Sequence, residues 1–349
     1  MGLLRVKGTI DLNQFWPTGK SPGVLSDADT VHVEVDPATS FVFEGNRTRA
    51  FDFAWIKTKK NKDGSRSPIY VIVGQQTAKA HIKVRLQGID APELHYHVDQ
   101  KKPEVRQNWG KRAAWELCKF LKSRASGAMK IDCHVETLIN SPNDAFDMYG
   151  RCVGDIVIAD AGGIMNVNHW LVKQGWAFPA HYNSMQIGEI DAINALWAKA
   201  KNGFVKSITN RAKNSMYGLP AGKAGDAPTE AKTDKGEVVF PKMFRRLVGF
   251  NENSKGAATL EDFLALPSQK KDLVINLADF KKLTPAQRAR PTKKNSGVPL
   301  IKLHTLVTNG DRLKPKPESL VFVEEPALLK NSTGTVTSWD EQGVPVPTI

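Results

Sequence analysis

Two short segments combine arginines with carboxylates in a pattern suited to cleaving a phosphodiester bond. The first is RLQGIDAPE, residues 85–93, and the second is DMYGR, residues 147–151. Guanidinium groups bind the anionic oxygens of a phosphate, a hard metal ion held by a carboxylate assists them, and a second carboxylate activates the attacking water. A third segment, DADTV at residues 27–31, adds a carboxylate at the start of a β-type run. Together these residues predict a metal-dependent nuclease.

The composition is that of a globular chain with a basic surplus. Of its 349 residues, 41% are hydrophobic and 24% are charged, which is enough for a sizeable core and for two domains. The 49 Lys and Arg residues outnumber the 36 Asp and Glu residues, giving a net charge of +13. Such a surplus favours a polyanionic partner through phosphate contacts, with a charge that serves solubility alone as the alternative.

Cysteine usage and the N-terminal sequence bear on the compartment. The three cysteines, Cys118, Cys133 and Cys152, have no metal-type spacing, and their odd number favours small buried hydrophobes in a reducing compartment. The first ten residues lack the pattern of a secretory signal, and no apolar run approaches the length of a membrane span. We therefore expect a cytoplasmic protein without a membrane partner, although secretion by a signal-independent route stays open.

The hydrophobic pattern predicts an α+β fold class for the first 220 residues. Alternating apolar and polar residues predict strands, and helical spacing predicts a helix over residues 110–123 and further helices over 166–174 and 187–217. The last of these helices is either continuous or broken near Gly203. The predicted strands cover residues 4–11, 30–36, 80–86, 129–137 and 151–158. Five short strands with late helices predict a five-stranded OB-fold-like β-barrel with capping helices.

Changes in composition suggest how the chain is divided into domains. We predict a barrel domain over residues 1–220, a polar linker over 221–237, and a second, smaller mixed α/β domain over 238–329. A loosely ordered tail is predicted for residues 330–349. Within the barrel domain, residues 37–79 read as an insertion. Its lysine-rich loop, residues 57–67, is either a basic flap over nucleic acid or a solvated loop.

The second domain contains one suggestive run, FPKMFRR at residues 240–246. Aromatic residues interleaved with cations are able to bind nucleic acid. They also suit the start of an amphipathic helix that packs on its own sheet, and packing is the interpretation we prefer. No catalytic set is visible in this region of the sequence.

The order of the motifs resembles the staphylococcal nuclease (thermonuclease) family. The pattern runs from DxDTV through RLxGIDAPE and DxYGR to VNxxLVxxGxA at residues 167–177, and the resemblance covers roughly residues 4–219. It leaves the last third of the chain unexplained. Taken singly, each acid or arginine also fits a turn or a surface ion pair.

The resemblance implies a calcium site and a general base. Ca²⁺ would be bound by the carboxylates of Asp29 and Asp90 and by the main-chain carbonyl of Ala91. Glu93 matches the residue that activates the attacking water. Hard oxygen ligands and an open, water-rich shell are what Ca²⁺ prefers.

The same resemblance implies the substrate-binding residues. Arg85 and Arg151 match the guanidinium groups on the scissile phosphate, and Tyr149 matches a ring beside the bound nucleotide. Where the best-known member of the family carries a pair of tyrosines, this chain has His181 and Tyr182, which we consider as residues that stack on a base.

Two functions of different classes follow. The first is a Ca²⁺-dependent endonuclease acting on single-stranded or locally opened DNA and RNA by in-line attack of water. The resemblance implies that it leaves 3′-phosphate ends. The second is a non-catalytic module that binds single-stranded nucleic acid, since barrels of this type can keep the groove and lose the chemistry. In either case, the second domain could make the protein an effector or a repair factor.

Overall fold

A computed structural model gives the fold of the chain. It describes residues 2–15, 26–35, 41–44, 49–51, 53–57, 70–73, 81–98, 104–125, 128–139, 145–147, 149, 151–160, 163–212, 217–218, 236–269, 272–289, 291, 297–324, 328–331, 334–339 and 345–347. The loop at residues 58–67 and most of the predicted linker lie outside these ranges.

The N-terminal part of the chain contains most of the strands. They are β1 (Gly2–Asp11), β2 (Thr30–Val35), β3 (Phe41–Glu44), β4 (Arg49–Phe51), β5 (Phe53–Lys57), β6 (Tyr70–Val73), β7 (His81–Leu86), β8 (Ile89–Asp90), β9 (Arg106–Gln107), β10 (Lys130–Ile139), β11 (Cys152–Asp160), β12 (Gly163–Asn166), β13 (Phe178–Pro179), β14 (His181–Tyr182) and β15 (Tyr217–Gly218). The helices of this part are α1 (Gly110–Arg124), α2 (Val167–Lys173) and α3 (Ile187–Trp197).

The C-terminal part mixes short helices with short strands. The helices are α4 (Pro241–Glu252), α5 (Leu260–Ala265), α6 (Leu277–Phe280) and α7 (Pro285–Ala289). The strands are β16 (Leu273–Asn276), β17 (Ile301–Lys302), β18 (Val307–Thr308), β19 (Arg312–Leu313), β20 (Leu320–Val323), β21 (Leu328–Asn331), β22 (Gly334–Trp339) and β23 (Pro345–Pro347).

Five strands close into a barrel. In the order β1, β2, β7, β11 and β10, each strand pairs with the next, and β10 returns to pair with β1 along its whole length. The interior is formed by alternate residues: Val31, Val33 and Val35 of β2 are buried, while His32 between them is exposed. This arrangement confirms the predicted α+β fold with a five-stranded, OB-like barrel.

The last predicted helix was wrong in its length, whereas the alternative of a break near Gly203 agrees with a turn of the chain at that residue. We predicted helix over residues 187–217, but α3 ends at Trp197. The chain then turns at Gly203, whose backbone is left-handed with φ +58° and whose position leaves no room for a Cβ, since that atom would lie 2.1 Å from the carbonyl oxygen of Gly175. A helix cannot continue through such a contact, and the chain instead packs closely against the end of α2.

Parts of the C-terminal tail lie in strands, and the prediction that residues 330–349 are loosely ordered stays a prediction. β21, β22 and β23 join β5 and β6 in a five-stranded sheet, with β21 running parallel to β6. The sequence of β22, GTVTSW, is rich in β-branched residues, which suit a pleated ladder. Strands of the predicted insertion therefore pair with strands of the C-terminal tail.

The two halves of the chain also share a sheet and a hydrophobic core. β14 pairs in parallel with β20, and β16 and β17 complete this four-stranded sheet. Phe240, at the start of α4, contacts Phe178 of β13 and Phe322 of β20 with ring centroids 5.9 and 5.7 Å apart. The predicted domain boundary stays a prediction, but this packing holds α4 against the barrel.

Two further predictions concern the core and the membrane. Cys118, Cys133 and Cys152 are all buried and unbridged, as the sequence predicted. Among the helices that the structure describes, none has the length and apolar character needed to cross a bilayer.

Candidate active site

The motif residues meet at one end of the barrel because of the strand register. Thr30 of β2 lies opposite Arg85 of β7, and Val84 of β7 lies opposite Cys152 of β11. Asp29 precedes β2 and Arg151 precedes β11, so both side chains are brought to the same rim as Arg85. The turn after β7 then returns Asp90 and Glu93 to this rim.

These residues line a cleft of about 620 Å³, which we call the rim cleft. Its acids are Asp27, Asp29, Asp90, Glu93, Asp272 and Glu324, its cations are Lys83, Arg85, Arg151, Lys242, Arg245 and Arg246, and it also contains His95, Tyr96 and Tyr149. Acids and cations both line this cleft, a combination that can bind a metal ion and an anionic ligand side by side.

The acidic part of the rim cleft is built around Asp29 and Asp90. The Oδ2 atom of Asp29 accepts a hydrogen bond of 3.0 Å from the main-chain N–H of Ala91, which places Ala91 directly against this carboxylate. Asp90 is 1% exposed, and its Oδ2 atom is buried without a hydrogen-bond partner among the described residues. Burial raises the pKa of Asp90, and neighbouring Asp29 adds to that rise although Arg245 opposes it. An unpartnered buried carboxylate oxygen is free to accept a cation.

The fit to Ca²⁺ rests on this donor set. In the described ranges, no group of three or more His, Cys, Asp or Glu side chains is arranged to hold a metal ion. Two carboxylates, those of Asp29 and Asp90, remain as hard donors, and a main-chain carbonyl such as that of Ala91 with water would complete an open shell. The unpartnered oxygen of Asp90 fits such an open site.

Asp147 orders the arginine side of the rim cleft. Its Oδ1 atom accepts hydrogen bonds from the main-chain N–H groups of Tyr149 and Arg151, at 2.9 and 3.0 Å. Its Oδ2 atom accepts one of 2.7 Å from the Nε of Arg151 and lies 4.0 Å from a terminal nitrogen of Arg85. One buried carboxylate therefore holds both guanidinium groups in the same region. The ring of Tyr149 is exposed beside them.

The structure does not bring His181 and Tyr182 to the wall of the rim cleft. Tyr182 is buried beneath Arg85, accepts a hydrogen bond from its guanidinium group, and has its ring centre 4.4 Å from the guanidinium carbon. His181 is fully buried, with Nε2 3.0 Å from Oδ1 of Asn194 on α3. Both side chains are buried, so their positions give no support to the prediction that they stack on a base. Tyr182 instead supports Arg85.

The burial of His181 predicts a dependence of stability on pH. Burial lowers the pKa of His181 to about 4, so the folded state binds fewer protons than the unfolded state as the pH falls through the window from 6.5 to 4. We expect the native protein to lose about 2 kcal/mol more stability between pH 7 and pH 4.5 than a His181→Gln variant, whose amide does not titrate. Urea unfolding of both proteins at the two pH values measures this difference. An equal loss in both proteins would contradict the prediction.

The C-terminal part contributes cations that the sequence analysis did not place in the site. α4 begins with Pro241 in its first turn, and its apolar residues pack into the core, namely Met243, Phe244, Leu247 and Val248. The opposite face carries Lys242, Arg245 and Arg246, which reach the rim cleft. Their spacing of three and four residues is the signal in the FPKMFRR run that they share one helix face.

Arg245 contacts the acids that the resemblance marks as metal ligand and base. Its Nε donates a hydrogen bond of 2.6 Å to Oε1 of Glu93, and a terminal nitrogen donates one of 2.8 Å to Oδ1 of Asp90. Burial raises the pKa of Glu93 to about 7, and the positive charge of Arg245 opposes that rise. The acidic part of the site is therefore held by a cation of the protein itself.

Comparison with known proteins agrees with the position of these motifs. Residues 83–205 match the model of the family described as staphylococcal nuclease homologue. The match includes Arg85, Asp90, Glu93 and Arg151, whereas Asp29 and all of α4 lie outside it. No curated protein matches the chain. Over residues 83–205, the chain is therefore similar to the staphylococcal nuclease homologues.

Proposed function

We propose that the protein is a Ca²⁺-dependent phosphodiesterase that hydrolyses DNA, RNA or both. The observation that supports this proposal most directly is the convergence of three acids and two arginines, far apart in sequence, on the rim cleft of about 620 Å³. The acids are Asp29, Asp90 and Glu93, and the arginines are Arg85 and Arg151. A phosphodiester presents two non-bridging oxygens, which suit two guanidinium groups set side by side.

In this proposal Glu93 takes the proton of the attacking water. A buried carboxylate with a pKa near 7 is a usable base at neutral and alkaline pH, because it is both ionised and basic enough to accept the proton. Arg85 and Arg151 bind the phosphoryl oxygens and stabilise the charge that develops on them during in-line attack. Asp147 keeps both guanidinium groups facing the same space, so their side chains need little reordering when the phosphate enters.

Asp29 and Asp90, with the main-chain carbonyl of Ala91, would hold Ca²⁺. When bound, the ion supplies a positive charge that polarises the phosphoryl group and lowers the pKa of water. The unpartnered oxygen of Asp90 supports this assignment. The proposed partner is single-stranded or locally opened nucleic acid, supported by the net charge of +13 and by the exposed ring of Tyr149 at the cleft.

The alternative is a module that binds nucleic acid without cleaving it. The ion pairs from Arg245 to Asp90 and Glu93 favour this alternative, because they occupy the acids that catalysis needs. Cleavage of the substrate distinguishes the two proposals directly. Salt-sensitive binding without turnover in Ca²⁺ would favour the binding module.

The test is to incubate the full chain with end-labelled single-stranded DNA, in Ca²⁺ or in excess chelator, and to follow product formation. We expect cleavage in Ca²⁺ and none in chelator. An Arg151→Lys variant is expected to cleave roughly tenfold more slowly, because lysine keeps the charge but loses the planar fork. Arg5→Lys, which alters an arginine paired with Glu136 on the barrel wall, is the matched control. Undiminished cleavage in chelator would reject the role of the metal.

A further inference from the structure

The rim cleft holds a carboxylate between two cations that come from different parts of the chain. Oε2 of Glu324 lies 3.1 Å from a terminal nitrogen of Arg85, and its Oε1 lies 2.9 Å from Nζ of Lys242. We propose that Arg85 and Lys242 together form a binding site for a phosphate of the nucleic acid, and that Glu324 occupies this site until the nucleic acid displaces it. This inference rests on the proposed function and extends the site beyond the family match.

The geometry of the two contacts suits a phosphate group. Each oxygen of the carboxylate meets a separate cation, which is how the two non-bridging oxygens of a phosphodiester would meet the same pair. Aromatic groups hold both cations in place: the ring centre of Phe322 lies 4.5 Å from Nζ of Lys242, and Tyr182 lies beneath Arg85. The pair is therefore prepared to receive an anion.

Glu324 is the member of this cluster that can leave. The side chains of Arg85 and Lys242 are 8% and 10% exposed, whereas that of Glu324 is 31% exposed. The backbone of Glu324 is fixed by its N–H, which donates a hydrogen bond of 2.9 Å to Oδ1 of Asn183. Rotation of the glutamate side chain toward solvent would open the site without moving β20.

Exchange of one anion for another is the favourable way to open the site. Two buried cations side by side repel each other, and burial lowers the pKa of Lys242 in spite of the opposing effect of Glu324. Loss of the carboxylate alone would leave both charges poorly compensated, which is costly for cations that are buried. A phosphate restores the compensation, so Glu324 should compete with the nucleic acid for the same two cations.

A purely structural ion pair makes a different prediction. If Glu324 only ties β20 to the barrel, its neutralisation lowers stability and leaves ligand affinity unchanged. If it occupies the anion site, its neutralisation raises affinity, and loss of the lysine charge lowers it. The two variants then act in opposite directions on binding.

The experiment is fluorescence anisotropy of the full chain with labelled single-stranded DNA in chelator, where binding is read without any metal. We expect Glu324→Gln to bind roughly fivefold more tightly and Lys242→Met roughly fivefold more weakly, with the salt slope of Lys242→Met reduced by about one. The matched controls are Asp191→Asn and Lys281→Met, because Lys281 pairs with Asp191 at 2.6 Å, also joins the two halves of the chain, and lies outside the rim cleft. Neither control should change the affinity.

Unchanged or weaker binding by Glu324→Gln would overturn the inference, and so would unchanged binding by a folded Lys242→Met. Thermal unfolding checks the fold of each variant, and Lys242→Arg, which keeps the charge, should retain binding if Lys242→Met does not fold. The two proposals fail separately. Opposite shifts in binding with no cleavage in Ca²⁺ would support the anion site and reject the nuclease. Cleavage in Ca²⁺ with no effect of Glu324→Gln on binding would support the nuclease and reject the anion site.

Discussion

Replacement of Glu93 by glutamine is expected to slow phosphodiester cleavage roughly a thousandfold while nucleic-acid binding is retained. Glutamine keeps the size of the side chain and an oxygen that can accept the hydrogen bond from Arg245, but it cannot take a proton from water. Because Glu93 is the acid in the rim cleft that the proposal makes the base, its loss should act on the chemical step. We therefore expect kcat to fall and the affinity for uncleaved DNA to change little.

Single-turnover cleavage of labelled DNA, together with anisotropy in chelator, separates these two quantities. Glu116→Gln is the matched control, since Glu116 pairs with Arg112 and Lys119 on α1 and does not line the rim cleft. The control should cleave at the native rate. A Glu93→Gln protein that folds and cleaves within a few-fold of the native rate would show that another group is the base.

Replacement of Arg245 by glutamine is expected to tighten Ca²⁺ binding roughly a hundredfold, on the order of 2–3 kcal/mol. The guanidinium group of Arg245 contacts Asp90 and Glu93, so a metal ion at Asp90 must either displace it or bind beside a like charge. Glutamine removes that charge and keeps a hydrogen-bond donor. Burial raises the pKa of both acids and Arg245 opposes the rise, so the variant is best titrated at pH 9, where protonation competes least with the metal.

Isothermal titration calorimetry of the full chain with Ca²⁺ measures this effect without any substrate. Arg246→Gln is the control, because Arg246 also lines the rim cleft but pairs with Asp272 and does not contact Asp90 or Glu93 in the described contacts. It removes the same charge from the same helix. Equal affinities for native protein and Arg245→Gln would mean that the guanidinium group and the metal do not share the carboxylates.

The barrel could be predicted from the sequence because its strands and turns are marked by patterns of neighbouring residues. The alternation of Val31, Val33 and Val35 marks β2, and turn residues between Leu86 and Pro92 mark the end of β7. Binary patterning of this kind decides which face of a strand is buried. The meeting of Asp29 with Arg85 depends in addition on the register between β2 and β7, which no spacing along the chain encodes.

The contribution of α4 to the rim cleft could not be predicted, because it also depends on contacts between residues far apart in sequence. The spacing of Lys242, Arg245 and Arg246 shows that they share a helix face, but not which wall that face covers. The position of α4 depends on contacts between distant parts of the chain, such as those of Phe240 with Phe178 and Phe322. Glu324 is the first of two consecutive glutamates after a strand, and no spacing in the sequence marks it as a residue of the site.

The different contacts of His181 and Tyr182 have a simple cause. Successive side chains of a strand point to opposite faces, so β14 can direct only one of them toward the barrel end. Tyr182 faces Arg85, and His181 faces Asn194 of α3. The resemblance to the family indicates where this segment lies along the chain, but not that β14 pairs with β20.

Closure of the barrel also limits how the chain can be divided. The family match begins within β7 and therefore omits β1 and β2. A fragment trimmed to residues 83–205 would remove β2 from β7 and β1 from β10, and would expose an unpaired backbone edge on each strand. Such edges invite pairing with other copies, so the recognisable segment of this protein is not a self-sufficient folding unit.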